Sequence, residues 1–169
     1  MATATADTGI LGEEQREKRD EIVEMLKKAY WMEIETVMSY IANSVNPDGV
    51  RAQEIIESLK ADVTEELGHA QQFADRIKEL YGVVPGSMDF TAEQSFLQPP
   101  DEQTDIVHIV KGVIEAESGA IEFYNQIIQK TDGVDFVTQD MVIAILADEQ
   151  SHRRLFEGFL REYEAEGLA

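Results

Sequence analysis

The chain has three histidines, and two of them sit three residues after a glutamate, in Glu66-Leu-Gly-His69 and Glu149-Gln-Ser-His152. On a helix, residues i and i+3 share a face, so each pair can converge on one metal ion. Carboxylate oxygen with imidazole nitrogen suits iron, manganese or zinc. One Glu-x-x-His is a weak signal in a chain with 22 glutamates, but two on different segments are a stronger one. His108 has no such partner and reads as a surface or loop-packing residue.

Composition limits what could hold a metal. There are 34 acidic and 14 basic residues, a net charge of −20, and no cysteine. Disulfides, thiolate zinc sites, iron–sulfur clusters and cysteine nucleophiles are therefore excluded, leaving Asp, Glu and His as ligands. So negative a chain repels phosphate backbones and anionic headgroups, so nucleic acid and membrane are not expected partners, whereas cations are. No apolar run reaches the roughly 18 residues of a membrane span. The first residues lack the basic start and apolar stretch of a secretory signal, and a cytoplasmic location is expected. At 169 residues and 43% hydrophobic, the chain predicts one domain with a substantial core.

Four elements must position these residues. Residues 1–12 are small and polar and read as a flexible tail, with the folded domain over 13–169. Helical spacing runs from Glu13 to Asn43, Val50 to Tyr81, Asp105 to Lys130, and Asp135 to about Glu164. Asn46-Pro47-Asp48-Gly49 and Thr131-Asp132-Gly133 are turn signals, and Gly82 is placed as a helix C′ residue. Strand signals are nearly absent, so the fold class is all-α. The short first and last joints predict two antiparallel hairpins. The middle joint, Gly82 to Thr104, has 23 residues and can extend over about 70 Å. A helix of about 28 residues spans only roughly 40 Å. That loop can therefore cross the bundle and set the third helix parallel to the second.

Each helix carries an apolar stripe interrupted by a carboxylate. The stripes are Leu26, Tyr30, Glu33, Val37, Tyr40; Leu59, Val63, Glu66, Ala70, Phe73, Ile77, Leu80; Val110, Ile114, Glu117, Ile121, Tyr124, Ile128; and Val142, Ile145, Glu149, His152, Phe156, Phe159. Four core carboxylates without Lys or Arg on the seams would cost several kcal/mol each unless cations pair them. An internal repeat supports the assignment. Glu33 is followed by Tyr40 at +7 and Glu66-x-x-His69 at +33; Glu117 is followed by Tyr124 at +7 and Glu149-x-x-His152 at +32. Two such hairpins predict a pseudo-twofold site, one Glu-x-x-His per metal, with bridging carboxylates. Glu35 and Glu115 lie about 200° around their helices from the chosen pair, so they do not face inward with it. Tyr40 and Tyr124 are either plain core aromatics or donors to a metal carboxylate.

One Glu from each of two helices and a Glu-x-x-His from each of the others resembles the donor set of ferritin-like di-iron carboxylate bundles. Within that superfamily, Glu33-Ile-Glu-Thr-Val-Met-Ser-Tyr40, Glu66-Leu-Gly-His-Ala with Gly82-Val-Val-Pro85, and Gln139 through His152 resemble bacterioferritins and Dps-like mini-ferritins. The resemblance implies a ferritin-like four-helix bundle with a long crossover. It also implies an intra-subunit di-iron ferroxidase centre: Glu33, Glu66, His69, Glu117, Glu149 and His152 hold two iron ions per subunit. Fe²⁺ is oxidised there by O₂ or H₂O₂ for storage inside a homo-oligomer, and manganese or zinc are permitted by the same ligands.

Departures refine this. Leu67 stands where bacterioferritins place a haem-binding Met, so haem is not expected there. Only 17 residues follow His152, which favours a 12-subunit cage or a smaller assembly over a 24-subunit one. The first twelve residues have no Lys or Arg, unlike DNA-binding mini-ferritin tails, and the Cys pair common in archaeal-type members is missing. The alternatives are a rubrerythrin-like peroxidase or other di-metal carboxylate oxidoreductase, which without cysteine would need a separate electron donor, and a non-catalytic bundle holding zinc, manganese or nothing.

Overall fold

Periodic apolar residues uninterrupted by proline form four long helices: α1 (Arg16–Val45), α2 (Gln53–Glu79), α3 (Ile106–Thr131) and α4 (Phe136–Ala165). This arrangement comes from a computed structural model, which describes residues 9–169. There is no strand among the described residues. Asp105 and Asp135 cap the starts of α3 and α4 by accepting from the backbone N–H of His108 and Thr138, at 3.0 and 3.1 Å. Such caps satisfy amides that the first helical turn leaves unpaired.

The two hairpins form as expected, and the crossover returns along the bundle. Its far end lies beside the α1–α2 turn, where the Asp48 N–H donates to the Gln103 carbonyl at 2.9 Å. The third helix therefore starts at the same end as α2 and runs antiparallel to α1. At the opposite end, Arg76 of α2 pairs with Asp135 at the start of α4, at 2.7 Å.

Three expectations change. Of the expected 1–12 tail, residues 1–8 lie outside the described residues, but Gly9–Leu11 form a 3-10 turn. Ile10 is buried in the core, and Arg19 Nη1 donates to the carbonyls of Ile10 and Gly12 at 3.1 and 3.0 Å. Packed structure thus begins no later than Gly9. The left-handed residue ending α2 is Tyr81 (φ 64°), not Gly82. The Gly82 N–H closes back onto the Ile77 carbonyl at 2.8 Å, and any side chain at 82 would strike Val23 Cγ1, 2.7 Å from an ideal Cβ. Glycine serves close packing there.

The third change concerns which faces are buried. The stripes hold at their centres, while Tyr30, Val37, Val63, Ile114, Ile121, Ile128 and Phe159 are only half-buried. Instead α1 and α3 each bury a second face, because the crossover lies across them. The backbone of Phe96 and Leu97 presses on Gly112, where a Cβ would stand 2.7 Å from the Phe96 carbonyl oxygen. Glu35, expected to face away from the site, does so yet is buried: its carboxylate accepts from the N–H groups of Glu93 (2.9 and 3.0 Å) and Gln94 (2.7 Å). Asn43 Nδ2 donates to the Leu97 carbonyl at 2.9 Å, and Thr36 pairs with the Gln94 amide. A loop without regular structure needs such partners for its backbone when buried.

The core is split. One apolar cluster gathers Ile22, Leu26, Phe73, Ile77, Tyr124 and Ile145. The other gathers Tyr40, Ile55, Leu59, Val110, Val113 and Phe156. The glutamates of the four stripes lie between them.

Candidate metal centre

Each helix brings one carboxylate to the middle of the bundle. Glu33 comes from α1, Glu66 and His69 from α2, Glu117 from α3, and Glu149 and His152 from α4, and all six are buried. Their candidate ligand atoms form two groups, Glu33–Glu66–His69–Glu149 and Glu66–Glu117–Glu149–His152, each with all atoms within 4.8 Å of one another. Glu66 and Glu149 belong to both. Two ions placed in the two groups would share them as bridges, with Glu33 and His69 terminal on one side and Glu117 and His152 on the other.

Both histidines turn Nδ1 inward. His69 Nδ1 lies 3.2 Å from both Glu66 and Glu149 and 3.9 Å from Glu33. His152 Nδ1 lies 3.3 Å from Glu66, 3.7 Å from Glu149 and 3.9 Å from Glu117. Three of the donor atoms, Glu66 Oε1, Glu149 Oε1 and His152 Nδ1, are buried without a hydrogen bond. Orphaned polar atoms are expensive in a core, and a cation would satisfy all three. Nearby is a small space of about 10 Å³ bordered by Glu33, Glu66, Glu117 and Glu149, with Thr36 and Gln94 on its crossover side.

Both tyrosines are donors here. The Tyr40 hydroxyl donates to Glu117 and the Tyr124 hydroxyl to Glu33, each across from one hairpin to the other. Burial, followed by the charge of the carboxylate each one faces, raises both phenols well above their usual value, so they remain protonated donors.

The electrostatics divide the carboxylates. Burial, then the charges of Glu66 and Glu149, raise Glu33 and Glu117 well above the carboxylate range. Burial also acts against ionised Glu66, but the imidazoles of His152 and His69 beside it override that and bring Glu66 to about 2. Glu149 is lowered by the same two histidines against the same burial. Burial alone would lower the histidines; the carboxylates of Glu149 and Glu66 close beside them instead hold His69 at about 10 and His152 at about 12.

Other residues fall outside the cluster. His108 Nε2 lies 3.0 Å from the Gln98 carbonyl and packs the crossover against α3. Glu115 and Leu67 are exposed. Sequence reasoning missed three carboxylates behind the histidines: Asp62, Glu65 and Asp148. Their signal was adjacency, since Glu65 and Asp148 directly precede Glu66 and Glu149, and Asp62 stands one helical turn earlier on α2.

Residues 11–165 match the family model for the ferritin-like domain. The chain is 31% identical over 144 residues to the DNA protection during starvation protein of Pyrococcus furiosus, covering 83% of this chain and 77% of that one. It is 26% identical over 145 residues to the bacterioferritin of Desulfovibrio desulfuricans, covering 85% and 76%. Among solved structures, the bacterioferritin-related dodecameric thioferritin of Bacteroides fragilis superposes with a TM-score of 0.75 at 24% identity, covering 88% of this chain and 89% of the other. With four helices in the two-hairpin order, a long crossover and a match over nearly its whole length, the chain belongs to the ferritin-like family.

Proposed function

We propose that the buried cluster is a ferroxidase centre. Two Fe²⁺ enter as substrate, held by Glu33, Glu66, His69, Glu117, Glu149 and His152, with Glu66 and Glu149 bridging. Each ion gives up one electron, so a pair delivers two electrons to O₂ or peroxide. The ferric product is stored inside a homo-oligomer, a 12-subunit cage being the size we favour. The observation that carries this reading is the pair of overlapping four-residue groups sharing two carboxylates. Hard, anionic, flexible oxygen ligands suit iron in both charge states. The dodecameric relative from Bacteroides fragilis supports a cage. A cytoplasmic, haem-free protein that does not bind DNA completes the reading: Leu67 occupies the haem position, and a net charge of −20 opposes a phosphate backbone.

The test is iron loading. Metal-free protein is given excess Fe²⁺ anaerobically and then air. Ferric absorbance should grow well beyond two irons per chain. Uptake that stops at two removes the storage role and leaves a di-iron redox enzyme. Glu66→Ala and His152→Ala should each slow oxidation at least about tenfold while helix content is retained. Unchanged rates in both variants would mean the site is misassigned.

A further inference from the structure

Behind the two histidines, on the face between α2 and α4, lie three carboxylates that the inner cluster does not use. His69 Nε2 is 3.3 Å from Asp148 Oδ2, and His152 Nε2 is 3.1 Å from Glu65 Oε2. Those two contacts have an ordinary role: an imidazole that ligates through Nδ1 donates its other N–H to an acceptor that fixes the ring. Glu65 and Asp148 are equivalent in the two hairpins, so the pair of contacts follows the pseudo-twofold.

Asp62 does not fit that role. Its Oδ1 is 3.7 Å from His152 Nε2, too far for a hydrogen bond, and that nitrogen already has Glu65. Its Oδ2 is buried with no partner, and the residue is only 6% exposed. The pseudo-twofold does not require it either. Asp62 lies four residues before Glu66, and the corresponding residue before Glu149 is Ile145, a buried apolar side chain. Among the described residues no Lys or Arg forms an ion pair with Asp62, Glu65 or Asp148. A buried carboxylate with an orphaned oxygen, whose nearest cation is the His152 imidazole that Glu65 already engages, is costly and needs a reason.

Geometry supplies one. Ligand atoms of Asp62, Glu65 and His152 lie within 4.8 Å of one another, and so do those of Glu65, His69 and Asp148. Two oxygens each about 2.1–2.4 Å from one hard cation stand no farther apart than that. We propose that Asp62 and Glu65 bind a separate divalent cation on the α2–α4 face. Water completes its shell, and Asp148 adds its charge at the rim. Glu65, half-exposed, gives the site access to solvent, and Asp62 gives it depth. An ion held there stands one imidazole ring from the inner pair, a waiting position for Fe²⁺ moving between solvent and that centre. The waiting role rests on the ferroxidase reading; the cation site itself does not.

The test counts ions. Metal-free protein receives two equivalents of Zn²⁺ per chain, which binds nitrogen and oxygen ligands more tightly than Mn²⁺ and fills the inner groups. Zn²⁺ uptake is read with a chromophoric chelator. Mn²⁺ is then titrated in high salt, which screens diffuse attraction to surface acids, and free Mn²⁺ is read from its EPR signal. Wild type should take up one Mn²⁺ per chain. Asp62→Asn combined with Glu65→Gln should take up none while still binding two Zn²⁺. Glu65→Gln alone, at an exposed side chain that leaves packing intact, should also lose the Mn²⁺. A control carrying Glu54→Gln and Glu57→Gln, equal charge removed elsewhere on α2, should keep it. Absence of Mn²⁺ uptake by wild type, equal uptake by the Asp62/Glu65 variant, or equal loss in the control overturns the site. Loss of Zn²⁺ uptake by wild type with Mn²⁺ uptake retained would instead overturn the inner centre and leave this site standing.

Discussion

In the metal-free centre the four inner carboxylates hold their protons with different strength. Glu33 and Glu117 are raised towards the neutral form by burial and by the charges of Glu66 and Glu149. Glu66 stays ionised down to about 2 and Glu149 is lowered too, while His69 keeps its proton up to about 10 and His152 up to about 12. Near neutral pH Glu66 and Glu149 are thus anions facing two imidazolium cations. The sign follows directly. Both histidines are raised above their usual value near 6.5, so the stability they give the metal-free fold is full below that value and lost as pH climbs through about 10 to 12. Metal ions compete with the same protons, so metal affinity should rise with pH. Filling both groups with divalent ions requires His69 and His152 to deprotonate, along with any proton that Glu33 and Glu117 hold. Anaerobic Zn²⁺ titration in weak buffer with an indicator dye should therefore release at least about two protons per chain near pH 7; release of none would refute this charge assignment. At this scale the sequence was readable where chemistry and period coincide, as at Glu66, His69, Glu149 and His152. It could not tell which tyrosine serves which carboxylate. The repeat relates residues along one helix, whereas the antiparallel contact of α1 and α3 exchanges them, giving Tyr40 to Glu117 and Tyr124 to Glu33.

The helices were legible because each must bury one stripe, and a period near 3.6 marks that stripe without knowledge of its partner. The crossover was legible only in length. Its docking rests on single polar side chains, Glu35, Thr36 and Asn43, which the period assigns to a face away from the centre. Nothing local distinguishes a solvated glutamate from one that receives two backbone amides. The consequence reaches the centre, because Gln94, held by Glu35 through its own N–H, borders the small space beside the inner carboxylates. On the outer side the same residue lines a wide groove with Trp31, Met32 and Phe123. Glu35→Ala strips acceptors from the amides of Glu93 and Gln94 and should destabilise the fold by about 2–3 kcal/mol, read from the denaturant midpoint. Proteolysis should then cut first within residues 83–104. Glu35→Gln keeps one acceptor oxygen and should cost less. Equal stability of wild type and Glu35→Ala would mean the carboxylate does not anchor the crossover.

A bundle whose core is divided by charge has less apolar interior than its length suggests, and part of its apolar surface faces outward. On α1, Met38, Ile41 and Val45 are 47%, 49% and 69% exposed, and steps of three and four residues place them on one stripe. The crossover covers a different face of that helix. A contiguous exposed apolar stripe on a long helix marks a contact with another protein surface. Under the proposed storage role a second copy of the chain is the occupant, because ferric mineral needs an enclosed volume that one bundle does not contain. With a net charge of −20 per chain, subunits repel one another in dilute salt, so apolar contacts of this kind must carry the association and should persist when salt screens the charge. The native mass should be a large multiple of the single chain, twelve being favoured, and should hold at high salt. Met38→Glu combined with Ile41→Glu places charge within the stripe and should reduce the particle to small species. Those species should keep their helix content and still bind two Zn²⁺ per chain, because neither residue touches the inner carboxylates. They should also stop at two irons per chain when given Fe²⁺ and air. A wild-type monomer, or a variant of unchanged mass, would refute the assembly role of this stripe. A variant that falls to small species yet still accumulates iron well beyond two per chain would separate mineral growth from the cage.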